Sequence, residues 1–257
     1  MADVRVSSRA GPFEAKAFFR ERGSTCRRPL GVMTSMSAIP AQPVSPRVFV
    51  EDVVPALFAA VELDEAEAAT ELRLGVVLLG DEGGEWALHF VDGELGIASG
   101  RDERCELTLV QTVRDWRSAI WEGRPALIAE GVALVREEGA QALQPPRPAG
   151  GGPRPDPLKG ISDLRGLIEL RIEAEEDDAQ GDWCLGVLVG EGALPESPQA
   201  TIRLGMPEAE AIRVGDLHPL EALISGQLQL EGDLGLILQL QAIAMTAASA
   251  AGGGFSR

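Results

Sequence analysis

Few side chains in this sequence are of the types that do covalent chemistry. Its two histidines are His89, inside EWALHFV, and His218, directly before Pro219. In an alternating strand His89 falls one residue off the face shared by Trp86, Leu88 and Phe90, so it is expected to point outward. His218 stands where a helix begins, the place of a turn or cap residue. There is no tyrosine. Cys26, Cys105 and Cys184 are odd in number and unpaired in spacing, which fits neither a disulfide framework nor a zinc site. Cys105 and Cys184 read as small apolar residues within strands, and Cys26 belongs to the amino-terminal arm. With no activated nucleophile and no tuned acid and base, the chain is expected not to be an enzyme and to need no cofactor.

Binding motifs are equally sparse. The run EAEEDD, Glu173 to Asp178, lacks the alternate oxygen ligands, central Gly and distal Glu of a calcium loop, so it reads as a solvated hairpin tip and no metal is expected. GDEGG and GEGALPES are Gly-rich without a following Lys-Ser or Lys-Thr, and read as turns, not phosphate cradles. Trp86 and Trp183 occupy equivalent strand positions, where an aromatic either lines an apolar pocket or fills the core. Trp116 and Trp121 lie five apart on one helix and are not expected to share a face closely.

Charge narrows the partners. The formal net charge is −17, but residues 1–47 carry eight Arg or Lys against three Asp or Glu, leaving 15 basic and 37 acidic residues after Arg47. An acidic surface of that kind repels phosphate backbones and anionic membranes, so nucleic acid is not an expected partner. No run reaches the roughly 18 uncharged apolar residues of a membrane span, and the Met1 end lacks a signal-peptide core; a cytoplasmic protein with reduced cysteines is the expectation.

The elements that would position these residues follow from periodicity. Residues 1–45 mix Arg, Ser, Pro and Gly without a period, and read as a disordered arm or as an overlong gene start with the true start at Met33 or Met36. From Pro46, PRVFVEDVVPALFAAVEL spaces Val48, Val53, Leu57 and Val61 as a helix that Pro55 restarts or kinks. TELRLGVVLL, EWALHFVDG and CELTLV form a small antiparallel meander, followed by the helical VRDWRSAIWEG and then ALIAEGVALV. Gln144 to Pro157 is rich in Pro and Gly and reads as a linker. Beyond it GLIELRIEAEED alternates with Ile168, Leu170, Ile172 and Ala174 on one face; DWCLGVLV, ATIRL and QLQLEG are further strands, PEAEAIRVG and HPLEALISG helical turns, and DLGLILQLQAIAM a terminal helix apolar nearly all round.

These elements repeat. GEW ending at Trp86 corresponds to GDW ending at Trp183, LTLV at Leu107 to TIRL at Thr201, AIWEG at Ala119 to AIRVG at Ala211, and ALIAEGVALV at Ala126 to ALISGQLQL at Ala222. The order strand, strand, strand, helix, strand thus recurs across about 95 residues, with the second copy the more complete. The expected domains are residues 46–143 and 158–249, joined by the linker 144–157, with a flexible tail 250–257.

The second copy resembles the sterol carrier protein (type two) family. The matching positions are Thr201, Gly215, Pro219, Gly226, Leu228, Leu230, Gly232, Asp233, Leu236 and Leu240, and the first copy matches more weakly through Trp86, Thr108, Trp116, Gly123 and Gly131. The resemblance implies an α+β fold: two tandem sterol-carrier-like domains, each a small, mainly antiparallel sheet of about five strands covered by helices around an apolar tunnel. It implies a hydrophobic ligand, a fatty acid, acyl-CoA or sterol-like lipid, held chiefly in the second copy. Trp183 and Leu185 on a strand, Leu220, Leu223 and Ile224 on the Pro-led helix, and Leu236, Leu240 and Ile243 on the terminal helix are the expected lining. A structural or regulatory interaction module with closed cores and no ligand stays open beside it, as does pairing of the two repeats with each other.

Overall fold

Alternating apolar residues give eight strands: β1 Leu72–Leu79, β2 Gly84–Val91, β3 Glu94–Ser99, β4 Leu107–Thr112, β5 Gly166–Glu173, β6 Trp183–Val189, β7 Ala200–Gly205 and β8 Leu228–Gly232. The computed structural model describes residues 39–143, 164–175 and 178–239, all within the unit Ser35–Arg257. The expected linker, residues 1–38, the 250–257 tail, and Leu240 and Ile243 lie outside the described residues. All eight strands join one sheet in the order β3-β2-β1-β4-β6-β5-β7-β8. Strands β1 and β4 are parallel, as are β5 and β7; every other neighbouring pair is antiparallel.

This corrects the expectation of two separate five-stranded sheets. The set β2-β1-β4 recurs as β6-β5-β7 in the same direction, shifted along the sheet, and the two sets meet where Leu107–Val110 pair with Gly186–Val189. Beside β4, where a fifth strand of the first set would lie, stands β6. The segment ALIAEGVALV, expected there as a strand, is instead the body of helix α5, Ala126–Glu138. Its apolar residues Ile128, Val132 and Val135 recur at helical spacing, and all three pack in one cluster with Val53 and Leu57. Strand β3, which sequence periodicity leaves unassigned, forms the edge beside β2, with exposed residues at most of its positions.

Among the described residues the helical segments Val54–Phe58, Val113–Arg117, Ala126–Glu138 and Met206–Val214 pack on one face of the sheet, while on the other Val77, Thr108, Leu167 and Leu188 are buried as well. α1 Pro46–Val48, a π turn at Phe49–Val53 and α2 Val54–Phe58 form one broken rod. Pro55 has no N–H to donate, and the turn before it widens so that the Val54 N–H reaches the Phe49 carbonyl. α3, Glu65–Ala68, is a single turn capped by Asp64. α4 Val113–Arg117 continues as a second π turn, Ser118–Glu122, ending at Gly123; α6 Met206–Val214 ends the same way at Gly215, both glycines left-handed. α7 Pro219–Ile224 precedes β8, and residues 234–239 are helical, with the Asp233 carboxylate accepting from the Leu236 N–H at 3.1 Å.

Residues 39–45, expected within a disordered arm, are tied down: Ile39 is buried with Val53 and Leu57, and the Pro40 carbonyl accepts from Trp121 Nε1 at 2.9 Å. Trp116 and Trp121 were expected apart, yet their rings meet edge-on at 5.1 Å. The π turn between them explains it, since i+5 winding brings residues five apart onto one side.

Candidate functional site: an apolar strip on the covered face

Cross-strand register sorts the covered face into rows, because directly paired residues share a face. One row runs Leu109, Val187, Ile168, Ala200; the next Leu185, Leu170, Ile202, Leu230; the third Trp183, Ile172, Leu204, Leu228. Over β5 to β7 the first is closed by Leu164, Leu236 and Ile237, which pack with Ile168, Val189 and Ala200, while its β4 end, Leu109, is 44% exposed. The third is closed by Ala119, Ile128, Met206, Ala209 and Ile212, which pack on Ile172, Trp183 and Leu204. The middle row belongs to neither: Leu185 and Leu170 flank the second cluster, Ile202 and Leu230 the first, and all four are half-buried. It is an aliphatic strip between two closed clusters, running from β6 to the edge strand β8.

The expected lining residues distribute unevenly around it. Leu185 lies in the strip. Leu236 is buried beside it as one wall. Trp183 is 2% exposed and is core: α4 covers it, and its Nε1 donates to the Asp115 carbonyl at 2.9 Å. Leu220, Leu223 and Ile224 do not line an enclosed tunnel; they are 57%, 38% and 79% exposed, because α7 turns only Ala222 inward. On the helix at 234–239, Leu236 and Ile237 are buried while Leu234 and Leu238 are exposed, so the second apolar side of that helix faces outward. Sequence reasoning missed Leu170 and Ile202 as site residues. Their alternation marked them as inward-facing, but only the pairing of β5 with β6 and β7 sets them in one row with Leu185.

Polar groups near the strip are engaged in holding it together. A cleft of about 360 Å³ lies between α4 and the β5–β6 hairpin. There Arg114 donates to the Gln180 carbonyl at 3.0 Å and the Asp182 carbonyl at 2.7 Å, and Arg124 donates to Gly181 at 2.6 Å and pairs with Asp178 at 2.8 Å. These contacts clamp the hairpin to the helices following β4. The Asp115 N–H is capped by Thr112 at 3.0 Å, which starts α4 where β4 ends. A second depression, about 370 Å³, opens at Leu164, Arg165, Asp233, Gly235, Leu236 and Gln239. On the opposite face Arg171 pairs with Glu169 at 2.8 Å.

The chemistry-bearing residues sit in structural roles. His89 is on the outer face of β2, 3.1 Å from Glu71. His218 Nδ1 accepts from the Leu220 N–H at 3.2 Å, capping α7. Burial pushes the Cys105 and Cys184 thiols up, away from the reactive thiolate. Cys184 is in β6, whereas Cys105 lies just ahead of β4 and not within a strand. Among the described residues no group of three His, Cys, Asp or Glu is placed to hold a metal ion, and no helix is long and apolar enough to cross a membrane.

Comparison with known proteins gives this geometry a context. No curated protein matches the chain. Among solved structures, the crystal structure of sterol carrier protein 2 like 2 from Aedes aegypti is 26% identical, covering 34% of this chain and 81% of that one at a TM-score of 0.24. The solution structure of palmitated SCP2L2 from the same species is 27% identical, with coverages of 34% and 78% and a TM-score of 0.26. Sterol carrier protein domain 2 of Helicoverpa armigera is 21% identical, with coverages of 35% and 73% and a TM-score of 0.26. The family model that matches is the SCP-2 sterol transfer family, over residues 155–245, so it is the C-terminal part of the chain that is similar to that family.

Proposed function

We propose that this chain is a non-catalytic lipid-binding protein that holds a fatty-acyl or sterol-like ligand against the strip Leu185, Leu170, Ile202 and Leu230. The observation that carries this reading is the strip itself: four aliphatic side chains in one row, half-buried between two closed clusters, inside the segment that matches the SCP-2 sterol transfer family. Each methylene of an acyl chain laid there would contribute ~0.8 kcal/mol by leaving water. A ligand needs no charged partner in this arrangement, and specificity rests on length and shape.

The same reading takes the chain as two copies of one unit sharing a sheet. In support, β1 parallel to β4 and β5 parallel to β7 are each followed at once by a helix ending in a left-handed glycine, Gly123 or Gly215. Binding falls to the second copy on this view, because aromatic rings fill the corresponding space in the first: Phe49 lies 5.4 Å from Trp116 and 5.8 Å from Trp121.

A second reading, an interaction module without a ligand, is favoured by the polar rims of the two depressions at Arg114 and Asp233. Titration with a fluorescent fatty acid separates the two. Saturable uptake at micromolar concentration, competed by unlabelled palmitate, is expected of a carrier; absence of uptake by the full chain refutes it.

A further inference from the structure

The row that forms the strip continues past β6 onto the first set of strands. Beyond the pair Val110–Gly186, the next step of the antiparallel β4–β6 register sets Gln111 opposite Leu185. The parallel register of β4 with β1 sets Gln111 beside Leu78, which is buried on the covered face. The full row is therefore Leu78, Gln111, Leu185, Leu170, Ile202 and Leu230, one amide among five aliphatic side chains. Gln111 Nε2 donates to the Cys184 carbonyl at 3.0 Å, which holds the half-buried amide against β6 next to Leu185. Among the described residues that is the only hydrogen bond of this side chain, so its carbonyl oxygen and its second N–H stay open to a further partner.

This end of the strip is wet. Leu109, one row from Gln111 on the same face, is 44% exposed although β4 is the fourth of eight strands. Its register partners go to opposite sides, Val76 to the cluster of the first set and Val187 to that of the second, and Leu109 belongs to neither. The cover over the sheet thus parts at β4, where an aliphatic floor runs up to an amide. A molecule with an apolar tail and a polar head, lying along the strip, puts its tail on leucine and isoleucine and its head at the wet end. Charge decides which head. Arg114, on the helix after β4, donates to the Gln180 and Asp182 carbonyls and pairs with Asp115, and Arg124 pairs with Asp178. Asp115, Glu122 and Asp182 line the same cleft. Both arginines are engaged, so a free carboxylate meets acids there, whereas a hydroxyl can donate to the amide oxygen or accept from its N–H.

We propose that the first set of strands completes the ligand site: Gln111 positions the polar head of the ligand at the open end of the strip, Leu109 floors the opening, and the head they select is an uncharged hydroxyl, not a carboxylate. This rests on the lipid-binding reading above. It adds to length and shape the direction in which the ligand lies and the chemistry at its head, and it makes the site a joint product of β4 and β6, strands that come from different sets.

Titration of the full chain with hexadecanol, hexadecane and palmitate, each delivered from cyclodextrin and read by displacement of a fluorescent fatty acid, tests this. The three share an apolar tail, so changes in the ratios of their affinities between parent and variant report the head alone. In Gln111→Met, which keeps the length of the side chain, the hexadecanol-to-hexadecane ratio is expected to fall roughly three- to tenfold, the range of one net hydrogen bond. The palmitate-to-hexadecane ratio is expected to stay within about twofold. A loss of stability alone would weaken all three ligands together and leave both ratios in place. Leu109→Thr is expected to weaken all three alike, by at least about twofold, and serves as the second arm should Gln111→Met not fold. An unmoved hexadecanol ratio, a palmitate ratio that falls as far, or binding of all three unchanged by Leu109→Thr overturns the proposal and leaves the lipid-binding reading standing. Absence of uptake of any of the three by the parent removes that reading and this proposal with it.

Discussion

Replacing Leu185 by Trp, set against replacing Val189 by Phe, asks directly whether the middle row is open. Both residues are on β6, point to the covered face and sit six residues or fewer from Trp183, yet Val189 is 0% exposed inside a closed cluster while Leu185 is half-buried in the strip. Overfilling the closed cluster should cost about 1–3 kcal/mol, since the neighbours Ile168, Ala200 and Leu236 have no room to move aside. In a chain of this size each kcal/mol lowers the melting temperature by roughly 2–4 °C, so Val189→Phe is expected to melt about 2–12 °C below the parent. Leu185 is half-buried and packs against the Trp183, Ile172 and Leu204 cluster from one side, so on the carrier reading, which leaves its other side to a ligand, the indole's effect on melting should stay below roughly 1 kcal/mol, under the cost of overfilling a closed core.

Binding should change in the opposite sense. An indole in the strip displaces about two methylenes of an acyl chain, ~1.6 kcal/mol at ~0.8 kcal/mol each, which weakens affinity roughly 15-fold. Val189→Phe, if still folded at the assay temperature, should bind nearly as the parent does. Paired calorimetric melting and fluorescent fatty-acid titrations read both quantities from one preparation. If Leu185→Trp melts as low as Val189→Phe, and neither the parent nor the variant takes up fatty acid, the strip is closed core and the reasoning fails.

Other consequences follow from the framework around the strip. Arg124→Ala frees the β5–β6 hairpin from Asp178 and Gly181, and amide exchange at Gly181 and Asp182 is expected to speed up more than at β1 or β2. Trp183→Phe keeps an aromatic ring but removes the indole's second ring from a closed cluster and strips the buried Asp115 carbonyl of its indole donor, and should cost at least about 2 kcal/mol in chemical denaturation. Gly123→Ala forces a side chain into φ 77° where nothing crowds it, so any loss, roughly 1–2 kcal/mol, is backbone strain and should leave ligand uptake unchanged. Asp102 is held down from 3.8 to about 2 by its hydrogen bonds from Arg104, so the native state gains from this carboxylate above pH 4 and loses that gain as pH falls through 2; Asp102→Asn should flatten that part of the acid-stability profile, and an unchanged profile would deny the Arg104 contact.

Periodicity read most of the strands, and for a physical reason: a half-buried strand must alternate, and GLIELRIE does so with Glu169 and Arg171 paired on the outer face. It failed at β3, where the edge position leaves little apolar burial to record. It failed also at ALIAEGVALV, where alignment to ALISGQLQL suggested a strand but Ile128, Val132 and Val135 follow the helical period. The alternation of Leu228 and Leu230 in β8 has no counterpart there. The antiparallel pairing of β1 with β2 was legible, but β4 lies parallel to β1 instead of closing an antiparallel meander, and its joining to β6 left no local mark, because those contacts link residues more than seventy positions apart. The candidate site depended on those contacts. Leu185 was legible as an inward residue, but its row mates Leu170 and Ile202 come from different strands and only register makes them a strip.

The shared sheet also bears on where a ligand can fit. In the first set, the face under α1, α2 and α4 is filled by Phe49, Trp86, Trp116 and their neighbours, with Glu51 accepting from Trp86 Nε1 at 3.1 Å to fix the large ring. Trp121 is pinned in turn by the Pro40 carbonyl. Rings packed edge to face and anchored by their polar atoms leave a rigid interior with little freedom to repack around a guest. From residue 164 to 239 the sequence contains one aromatic residue, Trp183, and that one is already fixed by Asp115. What remains on the covered face there is leucine, isoleucine and valine on strands, lying between helices that meet the sheet at its two ends instead of its middle. Aliphatic side chains present the same chemistry to one another as to an acyl chain, so under the carrier reading a ligand laid on the middle of this face would replace like contacts with like. The first set, by contrast, can serve as the fixed part of the sheet, supplying β4 as the neighbour that β6 requires.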